Sequence, residues 1–275
     1  MIKLIDVDKL FDDYISDYVY KNIGKVKPEE IENQMPVLYE KFGNEKIKEL
    51  DGKTPNTFYT LYSSQELLFC LKEHLEKGVP VSDFLCEAII KNSQSKEEIC
   101  SELLKENQEQ YVLYLMNILC DINAKPPLNR YVEFLLYDYP ESVSELASES
   151  LRNYATEVKD KLIENYQDAD KSTKEKIADI LSCSDKDDRI FDLLIQAFNE
   201  RVDNIPLFSA CLSKYGDDRA LPTLYNAIEK QDISYADFEE LRFAIESLGG
   251  EYNKQRDFSK DKSFSKIKGA KRRKH

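Results

Sequence analysis

Residues 217–228 read DDRALPTLYNAI, and residues 187–198 read DDRIFDLLIQAF. Set against each other at an offset of 30, the two stretches share DDR, Leu194 with Leu224, and Ala197 with Ala227. The pairs Ile190/Ala220, Phe191/Leu221 and Phe198/Ile228 stay apolar. The apolar spacing is that of a helix, and period-2 alternation is absent. Between and around these segments lie KSTKEKIADILSC, NIPLFSACLSKYG and ADFEELRFAIESLGG, each ending with leucine close to a polar or glycine-containing stop. A pair of short helices cannot bury its apolar face alone, so a unit recurring about every 30 residues predicts stacked helix pairs that share one core.

The DDR clusters admit two interpretations. Paired carboxylates could hold a divalent ion or work as an acid and a base. Alternatively, aspartate at a helix start caps free backbone N–H groups and favours the dipole, while the arginine bridges to the next repeat. Repetition decides between them. Equivalent loops of stacked helices lie about 10 Å apart, too far for their carboxylates to share one ion. Asp187, Asp188, Arg189, Asp217, Asp218 and Arg219 are therefore assigned to the repeat boundaries.

Moving outward, GDDRALPTLYNAIEK followed by DFEELRFAIESLGG resembles the short HEAT-like repeat, in which a helix opening on G-D-x-R-A-L-P-x-L precedes one reading V-R-x-x-A-x-x-A-L-G. Pro222 matches the proline of the first helix and Arg242 the arginine of the second. The likeness is best over residues 172–250. The preceding unit departs from it, with Asp192 in place of the proline and Pro206 in place of the arginine. The resemblance implies an α-solenoid with a concave face, and commonly a role in binding other macromolecules. Some HEAT-like proteins are enzymes, among them alkylpurine DNA glycosylases and bilin lyases. The glycosylases use a basic surface that includes tryptophan, whereas this chain has no Trp and a formal charge of −13.

The rest of the chain is also helical in pattern. Only 8 glycines and 9 prolines punctuate 275 residues, too few for many short strands. An opening helix over 5–20 and a second from Pro28 precede the turn at Asp51-Gly52, where Thr54-Pro55 starts a new helix. The Gly52-Lys53-Thr54 triplet lacks the glycine spacing and preceding strand of a P-loop. From residue 64 short helices follow one another, the first capped by Ser64 and Gly78, and EQYVLYLMNILCDI is apolar enough to lie between neighbours. This predicts an all-α chain with an N-terminal helical cap (1–60), an irregular helical-hairpin array (61–160), HEAT-like repeats (161–252) and a basic disordered tail (253–275).

No membrane-length apolar run and no secretory h-region occur, so a cytoplasmic protein is expected. Six dispersed cysteines without a CxxC pair are expected to be buried free thiols, and His74 to lie on the polar flank of its helix. With no hydrolase, zincin or dinucleotide signature present, no catalytic residue, metal or cofactor is expected. Charge is unevenly placed: residues 254–275 hold ten Lys/Arg against Asp257 and Asp261, a formal +8 that leaves 1–253 at −21. The expected function is a non-enzymatic scaffold or adaptor binding another protein through its concave or acidic surface. The alternative is association with nucleic acid or the ribosome through Lys266, Lys268, Lys271, Arg272, Arg273 and Lys274. A HEAT-like enzyme is the third possibility.

Overall fold

A computed structural model describes residues 3–23, 28–92, 94–200, 202–259, 261 and 264. Among them the regular structure is entirely helical, in two units, residues 1–127 and 128–275.

The first unit opens with α1 (Val7–Lys21) and α2 (Pro28–Gly43), which pack together and bring Phe11, Tyr39 and Phe42 into one aromatic cluster with Phe84. The chain then reverses at Asp51 and Gly52, both at positive φ, before the short α3 (Pro55–Phe58). α3 begins with a reciprocal capping box between Thr54 and Thr57. Next come α4 (Ser64–Glu76), α5 (Asp83–Lys91), α6 (Ser95–Leu103) and α7 (Glu109–Asp121). α4 packs on α5, α6 and α7, and the last of these touches α5 and α6 as well. That enclosure explains why α7 is apolar on several faces, with Tyr111, Val112, Leu115, Met116, Ile118 and Leu119 all buried.

The N-cap of α4 is Ser63, one residue earlier than its sequence suggests. Ser63 and Glu66 form the reciprocal box, while the Ser64 hydroxyl is buried and donates to Ser95 at 3.1 Å. A second correction concerns His74. It is fully buried rather than on a polar flank, because α4 is covered on more than one side.

The second unit is a helical repeat array built from α8 (Leu128–Leu136), α9 (Glu141–Leu151), α10 (Ala155–Asn165), α11 (Lys171–Leu181), α12 (Asp188–Glu200), α13 (Ile205–Tyr215), α14 (Leu221–Ile228) and α15 (Tyr235–Ser247). Each helix packs on its sequence neighbour or on the next but one, so α8, α10 and α12 form one row and α9, α11, α13 and α15 another. Leu194, Ala197, Leu224 and Ala227, the positions shared by the two DDR segments, are buried between the rows.

Charge follows the same period. Across the array, ion pairs join residues roughly one repeat apart: Arg152 with Asp179 at 2.5 Å, Lys159 with Asp187 at 2.9 Å, Lys176 with Glu141 at 2.7 Å, and Lys171 with Asp203. Lys214 adds a second contact to Asp179 at 3.3 Å. Two glycines are required by geometry. Gly216 ends α13 at φ 71°, a left-handed cap that leads directly into the second DDR. At Gly250 a Cβ would stand 2.7 Å from the Tyr225 hydroxyl and 2.8 Å from Ile245, so nothing larger fits without movement.

Within the span expected to be a disordered tail, the described residues up to 259, with 261 and 264, pack against the array. Tyr252 and Phe258 are buried, with the Phe258 ring 5.0 Å from that of Phe238 and 5.3 Å from that of Tyr235. Asp261 accepts from the Tyr235 backbone N–H at 3.1 Å. Tyr252 and Phe258 bury apolar surface that holds the segment on α15, and the Phe264 ring adds an edge contact to Tyr235 at 4.9 Å. Among the described residues, no helix is long and apolar enough to cross a membrane.

Candidate functional site

Three of the four carboxylates of the DDR segments, those of Asp187, Asp188 and Asp217, are already occupied. Asp187 accepts from the Arg189 backbone N–H at 3.1 Å, from its guanidinium at 2.7 and 3.0 Å, and from Lys159 at 2.9 Å. Arg189, with Lys159 second, holds the Asp187 carboxyl far below the usual carboxylate range. Asp217 repeats the arrangement with Arg219, at 3.1 Å to the backbone and 2.8 Å to the guanidinium, and is lowered chiefly by it. Asp188 is the first residue of α12 and pairs with Arg219 at 2.9 Å, and Asp218 opens the short 3-10 turn before α14. Each arginine reaches back to the preceding helix pair, Arg189 to Asp160 at 2.8 Å and Arg219 to Asp188. Acids held ionised by fixed cations make poor proton donors at neutral pH.

Pro222 lies in the first turn of α14, and Arg242 pairs along its own helix with Glu239 at 2.9 Å and Glu246 at 3.8 Å. Lys266, Lys268, Lys271, Arg272, Arg273 and Lys274 lie outside the described residues. Nearer in the tail, Lys254 pairs with Glu229 at 2.5 Å, and Arg256 donates to the Lys230 carbonyl at 2.6 Å.

The first unit holds two cavities that sequence patterning did not single out. The larger, about 610 Å³, is a groove between α4 and α6. α4 contributes Gln65, Leu68, Phe69, Lys72, Glu73 and Glu76, whose spacing of three and four residues makes one continuous helix face. From the α6 side come Glu98, Ser101 and Glu102, followed by Lys105, and Tyr111 of α7 also lines it. Phe69 leaves 49% of its surface exposed. Lys72 is held at 2.6 Å by Glu106 and lies 5.6 Å from the centre of the Tyr111 ring. Burial alone would raise the Glu106 carboxyl, but Lys72 and the backbone N–H groups of Gln108 and Asn107 bring it below its ordinary value. The Glu98 Oε2 atom is buried without a hydrogen-bond donor. A sequence signal does exist for this groove: an aromatic residue on a helix face that otherwise carries glutamates and a lysine.

The second cavity, about 440 Å³, is lined by the end of α4 and by Gln110, Leu113, Tyr114 and Asn117 of α7. His74 borders it, with Nδ1 2.8 Å from the Pro80 carbonyl. A carbonyl can only accept, so Nδ1 carries a proton and donates this hydrogen bond. Nε2 is buried without a partner, and the ring is closed off from solvent, which removes it from proton transfer with a bound substrate. Among the described residues no group of three or more His, Cys, Asp or Glu side chains could hold a metal ion. The six cysteines are free, but only Cys70 and Cys211 are buried as expected; Cys86, Cys100 and Cys183 are half-buried, and Cys120 is exposed where its apolar surroundings in sequence suggested burial. It falls on the outer side of α7.

The chain matches no family model, no curated protein and no solved structure.

Proposed function

We propose that this protein is a non-catalytic helical-repeat scaffold, of the short HEAT-like kind, that holds a partner protein against its first unit. The groove between α4 and α6 carries this reading: it is long, open along two helix faces, acidic at its walls, and apolar at Phe69. Such a trough suits the side of another protein's helix. The inter-repeat ion pairs of the second unit support a structural role for its charges, since most serve to join one helix pair to the next. A cytoplasmic setting, where thiols stay reduced, is compatible with six free cysteines. The nucleic-acid reading has less support, because Lys254 and Arg256 are engaged with α14 and its C-terminal turn rather than presented to phosphates.

The test is affinity capture with the full chain and with Phe69→Asp as matched baits, with and without nuclease. The reading expects a protein recovered in near-stoichiometric amount, retained after nuclease and depleted with Phe69→Asp. Capture that disappears on nuclease treatment, or that needs residues 254–275 and ignores Phe69, overturns it.

A further inference from the structure

We infer that the α4–α6 groove takes an amphipathic helix bearing lysine or arginine, supplied by a partner protein. This rests on the scaffold reading above and specifies the chemistry of the partner.

The length comes from the helix geometry. From Gln65 to Glu76 the α4 face rises roughly 16 Å, at about 1.5 Å per residue, which matches about three turns of a docked helix. The apolar requirement comes from Phe69. Its neighbour Leu68 is buried, and Tyr111 donates to the Leu68 carbonyl at 3.4 Å, fixing the floor while Phe69 remains half in solvent. A half-exposed phenylalanine beside a closed floor offers one anchor point to an aliphatic side chain.

The charge requirement comes from the walls. Lys72 is bound to Glu106 and Glu73 is paired with Lys77, which leaves Glu76, Glu98 and Glu102 against Lys105 along the walls. The groove therefore repels phosphates and carboxylates and attracts cations. Glu98 makes the requirement specific. One of its carboxylate oxygens is shielded from water and receives no donor, while the residue as a whole stays partly exposed, so an incoming ammonium or guanidinium meets the carboxylate at its open side. A neutral or purely aliphatic helix would leave it unmet. The occupant is thus a helix with an aliphatic residue for Phe69 and a cation for Glu98.

The probe is a fluorescein-labelled peptide of about 12 residues, leucine and lysine at helical spacing, titrated with the full chain and read by anisotropy. Companion peptides replace lysine by glutamate, or leucine by serine. Saturable binding of the leucine–lysine peptide alone is expected. Glu98→Gln and Phe69→Ala should each weaken it about tenfold, while Glu145→Gln, an exposed carboxylate of the second unit, leaves it unchanged. Circular dichroism and the melting temperature confirm that each variant is folded. Glu98→Gln keeps the shape of the side chain and guards against loss of structure at Phe69. Equal binding of the serine–lysine peptide would reduce the effect to bulk attraction by an acidic surface and overturn the inference. So would binding unaffected by both groove variants, or self-association of the chain that these variants abolish, which would make a second copy the occupant. If the peptides fail while Phe69-dependent capture persists, the scaffold reading stands and the cationic partner does not.

Discussion

The guanidinium of Arg219 lies 2.9 Å from the carboxylate of Asp188, a residue one repeat earlier, and also grips Asp217 at 2.8 Å. It covers the Phe191 ring at 4.2 Å, so a single side chain ties the start of α14 to the first turns of α12. The two contacts differ in kind. The Asp188 side chain is 81% exposed, whereas that of Asp217 is 12% exposed and also accepts a backbone N–H. A double-mutant cycle on Arg219 and Asp188 should therefore show a small coupling that disappears in 1 M salt. The coupling of Arg219 with Asp217 should persist in salt. Equal salt sensitivity of the two would show that the ladder acts only as a surface charge array.

Acid should loosen the repeat array through the same aspartates. Asp187 and Asp217 are held below their ordinary value of 3.8 by arginine. A carboxylate lowered by folding contributes stability that is present above its unfolded value and is lost as pH falls through the folded one. Unfolding midpoints should drop below pH 4, and less steeply in the Arg189→Ala/Arg219→Ala double variant. An identical acid limb in the variant would place the titration elsewhere.

Alkali should weaken the fold through its thiols. Burial pushes Cys211 up to about 12, and Cys70 and Cys86 up to about 11, from an ordinary 9.0. A group raised by folding contributes stability that is complete below its unfolded value and is lost as pH climbs to the folded one, here from about 9 towards 12. Denaturant unfolding between pH 8 and 10.5 should show declining stability. In native protein an alkylating reagent should label exposed Cys120 first and Cys211 only on unfolding. Early labelling of Cys211 would mean that the α13 core opens locally.

The start of the basic tail should behave as part of the fold. Phe258 is 8% exposed and packs edge-on against Tyr235 and at a tilt against Phe238. Phe258→Ala is expected to cost about 2–4 kcal/mol in the second unit. Truncation after residue 250 should lower its melting temperature relative to truncation after 264. A melting temperature unchanged at both cuts would mean that 251–264 contributes nothing to the array.

Much of this architecture is legible in the residues. Helical apolar spacing, the Thr54-Pro55 start, and the DDR recurrence at an offset of 30 all depend on interactions within a few residues or on simple repetition. The packing of the described start of the tail was hidden because cations dominate its composition, whereas Phe258 and Phe264, with Tyr252 just before it, make the ring contacts. The partners of the charged residues were harder to see. Lys176 and Glu141, or Arg152 and Asp179, stand 35 and 27 positions apart, and local spacing does not indicate which acid of 52 each cation meets.

α4 shows where one kind of information ends and the other begins. Its residues dictate a capped helix, because capping and backbone hydrogen bonds are local. They do not dictate which face is covered. Phe69 and His74 lie five positions apart, about 140° around the helix, and hydrophobicity alone would bury the first and expose the second. The structure does the reverse, with His74 at 0% exposure and Phe69 at 49%. Packing of α5, α6 and α7 around α4 made that choice, since burial depends on what neighbouring helices cover and not on the side chain's own preference for water.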